Sequence, residues 1–245
     1  MPRIFDNIDL KLLPDLQQAL KDAYRADFCV GYFNLRGWKQ LDEYVDQWQG
    51  GEENCVRLLV GMQKLPQEEL KSFYRYTDNE IELDNQTANR LKRKLAEEFR
   101  TQLTIGAPTN EDELALRRLA IQLRAKKVVV KLYLRTSLHA KLYLFHTTDP
   151  RIPIVGYLGS SNLTFAGLSN QGELNIDVLD SDASAKLSKW FHDRWCDHWC
   201  LDISEELAEI IETSWAREEE RLPYHIYVKM AYHLSQEART GLNEF

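Results

Sequence analysis

The residues best suited to chemistry lie between positions 139 and 173. His139 and Lys141 stand two positions apart in SLHAKLYLF, Ser160 and Asn162 follow in a Gly-Ser-Ser-Asn stretch, and Glu173 comes next. Near neutral pH a histidine acts as a nucleophile or as an acid and base. A lysine suits a phosphate oxygen, the Ser-Asn turn adds small hydrogen-bonding groups, and a glutamate can hold the far nitrogen of a histidine ring. This combination predicts phosphate chemistry.

Strand geometry would bring these residues together. Side chains alternate between the two faces of a strand, so His139, Lys141, Tyr143 and Phe145 would share one face of HAKLYLF. An isolated His-x-Lys on an edge strand commonly serves only to keep that strand polar, which prevents it from pairing with a strand of another chain. Here the His, Lys, Ser, Asn and Glu fall on three successive β segments, which favours a site.

The surrounding pattern predicts an α/β fold with a mixed sheet flanked by helices. A strand, helix, strand order near the N-terminus is typical of a βαβ unit with parallel strands. Residues 67–126 form a polar, helical insertion that IGAPTNEDE divides into two helices, the second capped by Asn110 with Glu113 three residues later. KVVVKLYLR and HAKLYLF are predicted as strands joined by a tight link. The other expected elements are helices at 12–24, 37–49, 183–199, 204–220 and 224–238, and strands at 25–35, 55–62, 153–160 and 173–180.

Composition indicates a soluble globular chain. Of the 245 residues, 44% are hydrophobic and 28% charged, and no apolar run approaches the roughly 20 residues of a membrane helix. The N-terminus lacks the pattern of a signal peptide, and four scattered cysteines favour a reducing cytoplasm. We expect one domain over residues 1–200 and a helical extension over 201–245. The absence of a terminating pattern at the end predicts a longer parent chain.

Charge is segregated along the sequence. The net charge is -7, yet the interval from Arg117 to Lys141 holds eight Lys or Arg and no carboxylate, whereas 202–220 holds eight carboxylates. A local basic face attracts phosphates whatever the total charge. The alternative is a solvated helix face followed by an edge strand. The residues predicted to bind nucleic acid are Arg124, Lys126, Lys127, Lys131 and Arg135.

The stretch HAKLYLF followed by GYLGSSNLTFAGLSNQGELNIDV resembles the half-site of the phospholipase D superfamily, whose signature is H-x-K-x4-D and then G-S-x-N. His139, Lys141, Ser160 and Asn162 match the signature, and Glu173 falls where nuclease-like members carry a supporting glutamate.

The resemblance covers residues 128–180 well and the α/β pattern of 16–62 more loosely. It implies that His139 attacks phosphorus to form a phosphohistidine, while a histidine from a second H-x-K half-site protonates the leaving oxygen. Lysines and asparagines would stabilise the charged oxygens of the transition state. No metal or other cofactor is implied, because side chains supply the positive charge.

The chain departs from the signature at the aspartate. His146 occupies that position, and TTDPRIP lengthens the gap before Gly159. Asp149 is the nearest substitute. In the family this aspartate usually lies outside the reacting shell and nuclease-like members often lack it, so the departure leaves open whether cleavage is retained.

Two other segments suggest sites that we do not favour. His192, Cys196 and Cys200 recur every four residues, but eight residues of helix span roughly 12 Å, and zinc ligands lie about 2 Å from the ion. A two-ligand site completed elsewhere is the alternative to simple packing of this helix on the sheet. GYFNLRGW is not a phosphate loop; Tyr32, Phe33 and Trp38 either stack on bases or, as we favour, pack in the core.

Two classes of function follow. The first is a phosphodiesterase of nuclease type, acting on DNA or RNA without a membrane-docking surface. The second is a non-cleaving module that binds nucleic acid or sets oligomeric state, since the chain also resembles the N-terminal module ahead of superfamily-2 helicase motors in bacteria. A helicase motor in the same parent chain would then be a partner.

The count of half-sites predicts a homodimer. Among six histidines only His139 lies in an H-x-K, so one chain carries half of a site that needs two histidines. We expect His139, Lys141, Asn162 and Glu173 of both chains to meet at a two-fold axis, with PIVGYL and one face of HAKLYLF near the interface. The crowded cations there should depress each other's pKa values, and an anion on the axis would relieve this.

Overall fold

An eight-stranded mixed sheet forms the centre of the protein. The computed structural model describes residues 2–61, 85–103 and 110–214. Strands β2, β3 and β4 are parallel, the other pairings are antiparallel, and the order across the sheet is β1-β7-β6-β5-β2-β3-β4-β8. The strands are β1 Ile4–Phe5, β2 Ala23–Val30, β3 Val56–Val60, β4 Val128–Tyr133, β5 Leu142–Thr147, β6 Ile154–Gly159, β7 Asn175–Val178 and β8 Cys200–Asp202. The α/β class with a mixed sheet is confirmed.

Helices cover both faces of this sheet. The larger core contains side chains from every described helix except α6, and α6 packs Phe191 and Trp195 on the opposite face. None of the described helices has the length and apolar character needed to cross a membrane. The helices are α1 Leu12–Asp22, α2 Leu35–Trp38, α3 Asp42–Asp46, α4 Asn85–Leu103, α5 Asn110–Arg124, α6 Ser181–Trp195 and α7 Ser204–Glu212, and a π-helical turn covers Ala166–Asn170.

The predicted alternation of HAKLYLF is confirmed, but its strand is shorter than predicted. Tyr143 and Phe145 lie in the larger core, whereas Leu142 and Leu144 lie under α6. Strand β5 begins only at Leu142. The residues before it run as a connection across the end of the sheet, where the Leu138 N–H donates to the Gly61 carbonyl at 2.9 Å.

The predicted tight link between KVVVKLYLR and HAKLYLF is wrong. β3 and β2 lie between β4 and β5 in the sheet, so the connection over residues 134–141 passes the ends of both. Gly61 permits this passage, because a Cβ there would lie 2.1 Å from the Leu138 oxygen.

Several helices are shorter than predicted. The helices expected over 12–24 and 204–220 end at Asp22 and Glu212. The helix expected over 37–49 is divided into α2 and α3, and the intervening turn buries Leu41 together with Trp38 and Val45. The helix expected over 183–199 ends at Trp195, because the chain reverses there so that Cys200 can pair with Tyr133 at the β4 edge.

The predicted insertion and extension are described only in part. Helices α4 and α5 lie within the insertion, whereas 67–84 and 104–109 lie outside the described residues. In the extension, β8 and α7 pack on the same sheet, with Ile203, Leu207 and Ile211 fully buried. The predicted helix over 224–238 also lies outside the described residues.

Candidate active site

The residues singled out by their chemistry meet at one edge of the sheet. Strands β2 and β6 end at this edge, and β5 and β7 begin there, because neighbouring strands in this part of the sheet run in opposite directions. Lys141 immediately precedes β5, Ser160 and Asn162 follow β6, and Glu173 precedes β7. The fold therefore gathers three separate segments around His139.

His139 and Lys141 form the centre of the site. The Lys141 ammonium nitrogen lies 2.7 and 2.8 Å from the two ring nitrogens of His139 and donates to the His139 carbonyl at 2.9 Å. His139 is exposed, whereas Lys141 is 4% exposed. Burial lowers the pKa of Lys141, and the nearby negative charge of Glu173 acts in the opposite direction. A partly desolvated ammonium beside an accessible imidazole forms a strong anion site.

Ser160 and Glu173 are hydrogen-bonded to each other at the rim. The Ser160 hydroxyl donates to the Glu173 carboxylate and accepts from the Leu174 N–H at 2.9 Å. Gly159 allows this approach, because a Cβ there would lie 2.2 Å from the Leu174 carbonyl oxygen. The hydrogen bond that sequence reasoning gave Glu173 with the His139 ring is thus made with Ser160 in this structure.

The Asn162 side chain is oriented by the end of β2. Its Oδ1 accepts from the Gly31 N–H at 3.1 Å and from the Tyr32 N–H at 2.9 Å. Two backbone donors fix the amide plane, so the NH₂ group faces away from β2 and is the part of Asn162 that can donate to a ligand.

A buried network beneath the Gly-Ser-Ser-Asn turn was not anticipated. The Tyr143 hydroxyl donates to the Ser161 carbonyl at 2.8 Å, and the Asn175 amide donates to the Ser161 hydroxyl at 2.8 Å. All three residues are buried, and burial raises the pKa of Tyr143 well above its ordinary value. The network holds Ser160 and Asn162 at a fixed height above the sheet. The place of Tyr143 on the same strand face as Lys141 was the available sequence signal.

Tyr32 lies at the rim, while its aromatic neighbours do not. Phe33 and Trp38 are buried in the core, and Tyr32 is 46% exposed. The Tyr32 backbone contacts Asn162, so its ring is attached beside the candidate site. The favoured prediction of core packing therefore holds for Phe33 and Trp38 but not for Tyr32.

His146, at the aspartate position of the signature, lies far from the candidate site. It is at the opposite end of β5 from Lys141, roughly 16 Å away at strand geometry. Its Nε2 is 2.7 Å from the Asp27 carboxylate, which also accepts two hydrogen bonds of 2.6 Å from Arg57. Burial raises the pKa of Asp27, but the hydrogen bonds from His146 and Arg57 outweigh it and hold that pKa below its ordinary range. Asp149 follows β5 at this same far end, paired with Arg151.

The basic run does not form one continuous face leading to the site. β4 is parallel to β3, so Lys126 and Lys127 precede it at the edge opposite His139, about 20 Å along the strand. Arg124 binds Glu205 and Glu212 of the acidic run at 3.0 and 2.7 Å. The acidic segment of the sequence thus folds back on part of the basic one.

Three of the four remaining basic residues also have local partners. Lys131 lies 4.5 Å over the Trp195 ring and donates to its carbonyl at 3.3 Å, and Arg135 pairs with Asp197 at 3.2 Å. Lys127 donates to the Asp46 carbonyl. Of the five predicted contact residues, Arg135 alone follows β4 at the site edge.

A cavity of about 1090 Å³ lies away from the candidate site, lined among others by Arg57, Lys126, Lys131 and Trp195. It includes none of the five candidate catalytic residues. The candidate site stays at His139 rather than in this cavity, because an accessible imidazole beside positioned hydrogen-bond donors defines a reactive site better than volume does.

The rejected zinc site finds no support in the described part of the chain. His192 Nε2 is 3.6 Å from the Cys196 sulfur, and Cys200 lies in β8 rather than on the same helix. Within residues 2–61, 85–103 and 110–214, no group of three His, Cys, Asp or Glu side chains is arranged to hold a metal ion.

Comparison with known proteins identifies a family. Residues 16–195 match the sequence profile of the family described as "Cardiolipin synthase, PLD-like domain". This range contains all five candidate catalytic residues. No curated protein sequence is significantly similar to the chain.

Several solved structures are similar at low sequence identity. NucT from Helicobacter pylori is 10% identical, with 82% of this chain and 98% of that chain covered at a TM-score of 0.46. Nuc, a phospholipase D family member from Salmonella typhimurium, is 10% identical, with 82% and 97% covered at 0.44. Phosphatidylserine synthase from Haemophilus influenzae Rd KW20 is 14% identical, with 98% and 46% covered at 0.45. The family follows from the sequence profile alone.

Proposed function

Because the chain belongs to the family of PLD-like domains, we propose that it hydrolyses phosphodiesters with His139 as the nucleophile. The observation that carries the proposal is the exposed His139 ring held against the buried Lys141 ammonium at 2.7 Å, with Asn162 oriented at the same edge. Nucleophile and anion donors thus occupy one place, as an in-line displacement at phosphorus requires.

The reaction has two displacements. A His139 ring nitrogen forms a bond to phosphorus while the bond from phosphorus to the leaving oxygen breaks, and a second histidine gives that oxygen a proton. Water, deprotonated by the second histidine, then attacks phosphorus and releases His139. Lys141 and the Asn162 NH₂ group donate to the phosphoryl oxygens throughout. Ser160 and Glu173 position the turn that carries Asn162, through the hydrogen bonds at its start.

The second histidine comes from another copy of the chain. Only His139 lies in an H-x-K sequence. Among the other described histidines, His146 is at the opposite edge of the sheet, and His192 and His198 lie on and after α6. A two-fold dimer would place two equivalent rings on opposite sides of one phosphorus.

Nucleic acid is the proposed substrate. Tyr32 offers an exposed ring beside Asn162 on which a base can stack, and Arg135 lies at the same edge.

Four free cysteines accord with action in a reducing cytoplasm.

The direct test is incubation with labelled DNA and RNA oligonucleotides in EDTA, followed by acid quench and mapping of phosphorylated residues. We expect cleavage and a phosphohistidine at position 139. Intact oligonucleotides, together with binding that His139→Ala leaves unchanged, would replace this proposal with the non-cleaving module. The predicted helicase partner stays a prediction.

The distance between Lys126 and the site gives a length-dependent prediction. A stacked strand advances about 3.4 Å per nucleotide and an unstacked one up to roughly twice that, so a dinucleotide seated at His139 cannot span the roughly 20 Å to Lys126 and Lys127. Reversing both charges, Lys126→Glu with Lys127→Glu, should weaken binding of a 20-mer several-fold and flatten its salt dependence. Fluorescence anisotropy should show no change for a dinucleotide. An equal loss for both lengths, or for neither, would remove these lysines from the binding surface.

A further inference from the structure

The cavity of about 1090 Å³ lies beside α6, over β3 and β4. We call it the α6 cavity, and four of its lining residues define it here: Arg57 and Lys131 from the sheet, and Ser188 and Trp195 from α6. Small-molecule sites occupy roughly 300–1,000 Å³, so the α6 cavity has the size of such a site. It is separate from the candidate active site, because β3 and β2 lie between β4 and β5 and put Lys131 roughly 14 Å from β5.

Lys131 brings an ammonium group to this cavity without a carboxylate partner. Within the described part of the chain it forms no ion pair; its nitrogen lies 4.5 Å from the centre of the Trp195 ring and donates to the Trp195 carbonyl at 3.3 Å. Asp202 is opposite Lys131 in the pairing of β4 with β8, but its carboxylate accepts from the Ser204 N–H at 2.9 Å. An ammonium has three donors, so two of them remain for a ligand.

Arg57 supplies further donors beside Lys131. Its Nε and Nη2 donate to the Asp27 carboxylate at 2.6 Å each, which fixes the plane of the guanidinium, and its Nη1 takes part in neither bond. The guanidinium carbon lies 5.5 Å from the centre of the same Trp195 ring that Lys131 contacts. A ring orients a cation but does not neutralise it as a carboxylate would. Two positioned donor groups therefore face one space.

Arg25 adds a third positive charge at the edge of the α6 cavity. Its Nε is buried and has no hydrogen-bond partner among the described residues, and the Asp27 carboxylate is 4.0 Å away from it. A buried donor without a partner is costly, and the oxygen of an anion would satisfy it. The three cations here outnumber the buried Asp27 carboxylate, since the other partner of Arg25, Glu53, is exposed to solvent.

The acidic residues that line the cavity are mostly engaged elsewhere. Three of them pair with Arg25, Arg124 and Lys92, at 3.1, 3.0 and 4.0 Å, and Asp202 accepts from the Ser204 N–H. These carboxylates are Glu53, Glu205, Glu206 and Asp202, and the fifth, Glu52, is exposed. The donors of Arg57 and Lys131 thus stay available to an anion.

We infer that the α6 cavity binds a small organic phosphomonoester, whose phosphate oxygens accept from Lys131 and Arg57. A phosphomonoester carries about −1.5 to −2 charges at pH 7 and three strong acceptor oxygens, which suit several donors and an excess of positive charge. The volume exceeds that of a phosphate group, and Val129 and Ile154 add apolar lining for the organic part. This ligand differs from the phosphodiester proposed as substrate at His139, and its binding does not depend on that proposal.

Isothermal titration calorimetry in a His139→Ala, Lys141→Met background tests this inference, because that background removes the anion donors of the candidate active site. The probes are ribose 5-phosphate, AMP, inorganic phosphate and a dinucleotide whose only phosphate is a diester. We expect one phosphomonoester bound per chain. Lys131→Met, which keeps a side chain against Trp195, and Ser188→Asp, which adds a negative charge, should each raise its dissociation constant about tenfold or more.

Lys186→Met is the matched control, because Lys186 is exposed on the same helix, pairs with Asp182 at 2.6 Å and does not line the cavity. Thermal unfolding shows whether each variant is folded. The inference would be overturned by a phosphomonoester affinity that Lys131→Met and Ser188→Asp leave unchanged, or by no binding at all. It would also be overturned if the dinucleotide or inorganic phosphate bound as tightly as ribose 5-phosphate and AMP. Intact oligonucleotides with the native chain would remove the proposed function and leave this inference in place.

Discussion

When a His139→Ala chain is titrated into a fixed amount of the native chain, phosphodiester hydrolysis is expected to fall below its starting rate. In the proposed mechanism each composite site needs one ring to attack and one to protonate, so a mixed pair of chains would have no complete site. With random exchange of subunits, an equimolar mixture should retain about half of the activity, and a large excess of the variant should remove nearly all of it. Initial rates on a labelled oligonucleotide measure this directly.

His139→Ala alone should lose about 10⁴-fold or more in turnover, the scale seen when a nucleophile is removed from a catalytic unit. His192→Ala is the control, since this exposed histidine on α6 contacts Cys196 rather than the site. A mixture that keeps the full rate of its native fraction would show that one chain works alone. In that case the second proton donor would have to come from elsewhere in the same chain.

The part of the site that sequence could predict is the part set by local pattern. The alternation in HAKLYLF predicted that Tyr143 and Phe145 share one face of the strand, and both lie in the larger core. The turn residues after β6 placed Ser160 and Asn162 at a strand end. The strand boundary was wrong, because Lys141 and His139 lie in a connection whose path depends on Gly61 and the distant β3.

Contacts between segments that are distant in the sequence could not be predicted from the local pattern of residue types. The basic interval looked like a surface for phosphates, but Arg124 is partly neutralised by Glu205 and Glu212, more than eighty positions later. The orientation of Asn162 depends on two N–H groups at the end of β2. The pairing of β8 with β4 brings Glu205 and Glu212 to Arg124, and the pairing of β2 with β5 brings the end of β2 to Asn162. Strand order is a property of the whole chain.

Replacing Asp27 by Asn is expected to destabilise the protein by about 3 kcal/mol. The Asp27 carboxylate is fully buried between Arg57, at 2.6 Å, and His146, at 2.7 Å. The amide has the same shape but no charge, so the Arg57 guanidinium remains in the interior without its counter-ion. Urea unfolding at neutral pH measures the change. Asp149→Asn is the matched control, because its exposed pair with Arg151 should contribute less than about 1 kcal/mol.

The stabilisation by Asp27 should also depend on pH, and it should decrease in acid. The folded protein holds the pKa of Asp27 below the ordinary 3.8, so the unfolded chain binds this proton more readily. The stabilisation is therefore complete above about pH 4 and is lost as pH falls through the lowered pKa of the folded state. The native protein should lose stability over this acid range, and the Asp27→Asn variant should lose less, so that their urea midpoints converge. Parallel curves down to the lowest pH would mean that Asp27 is held by shape complementarity rather than by its charge.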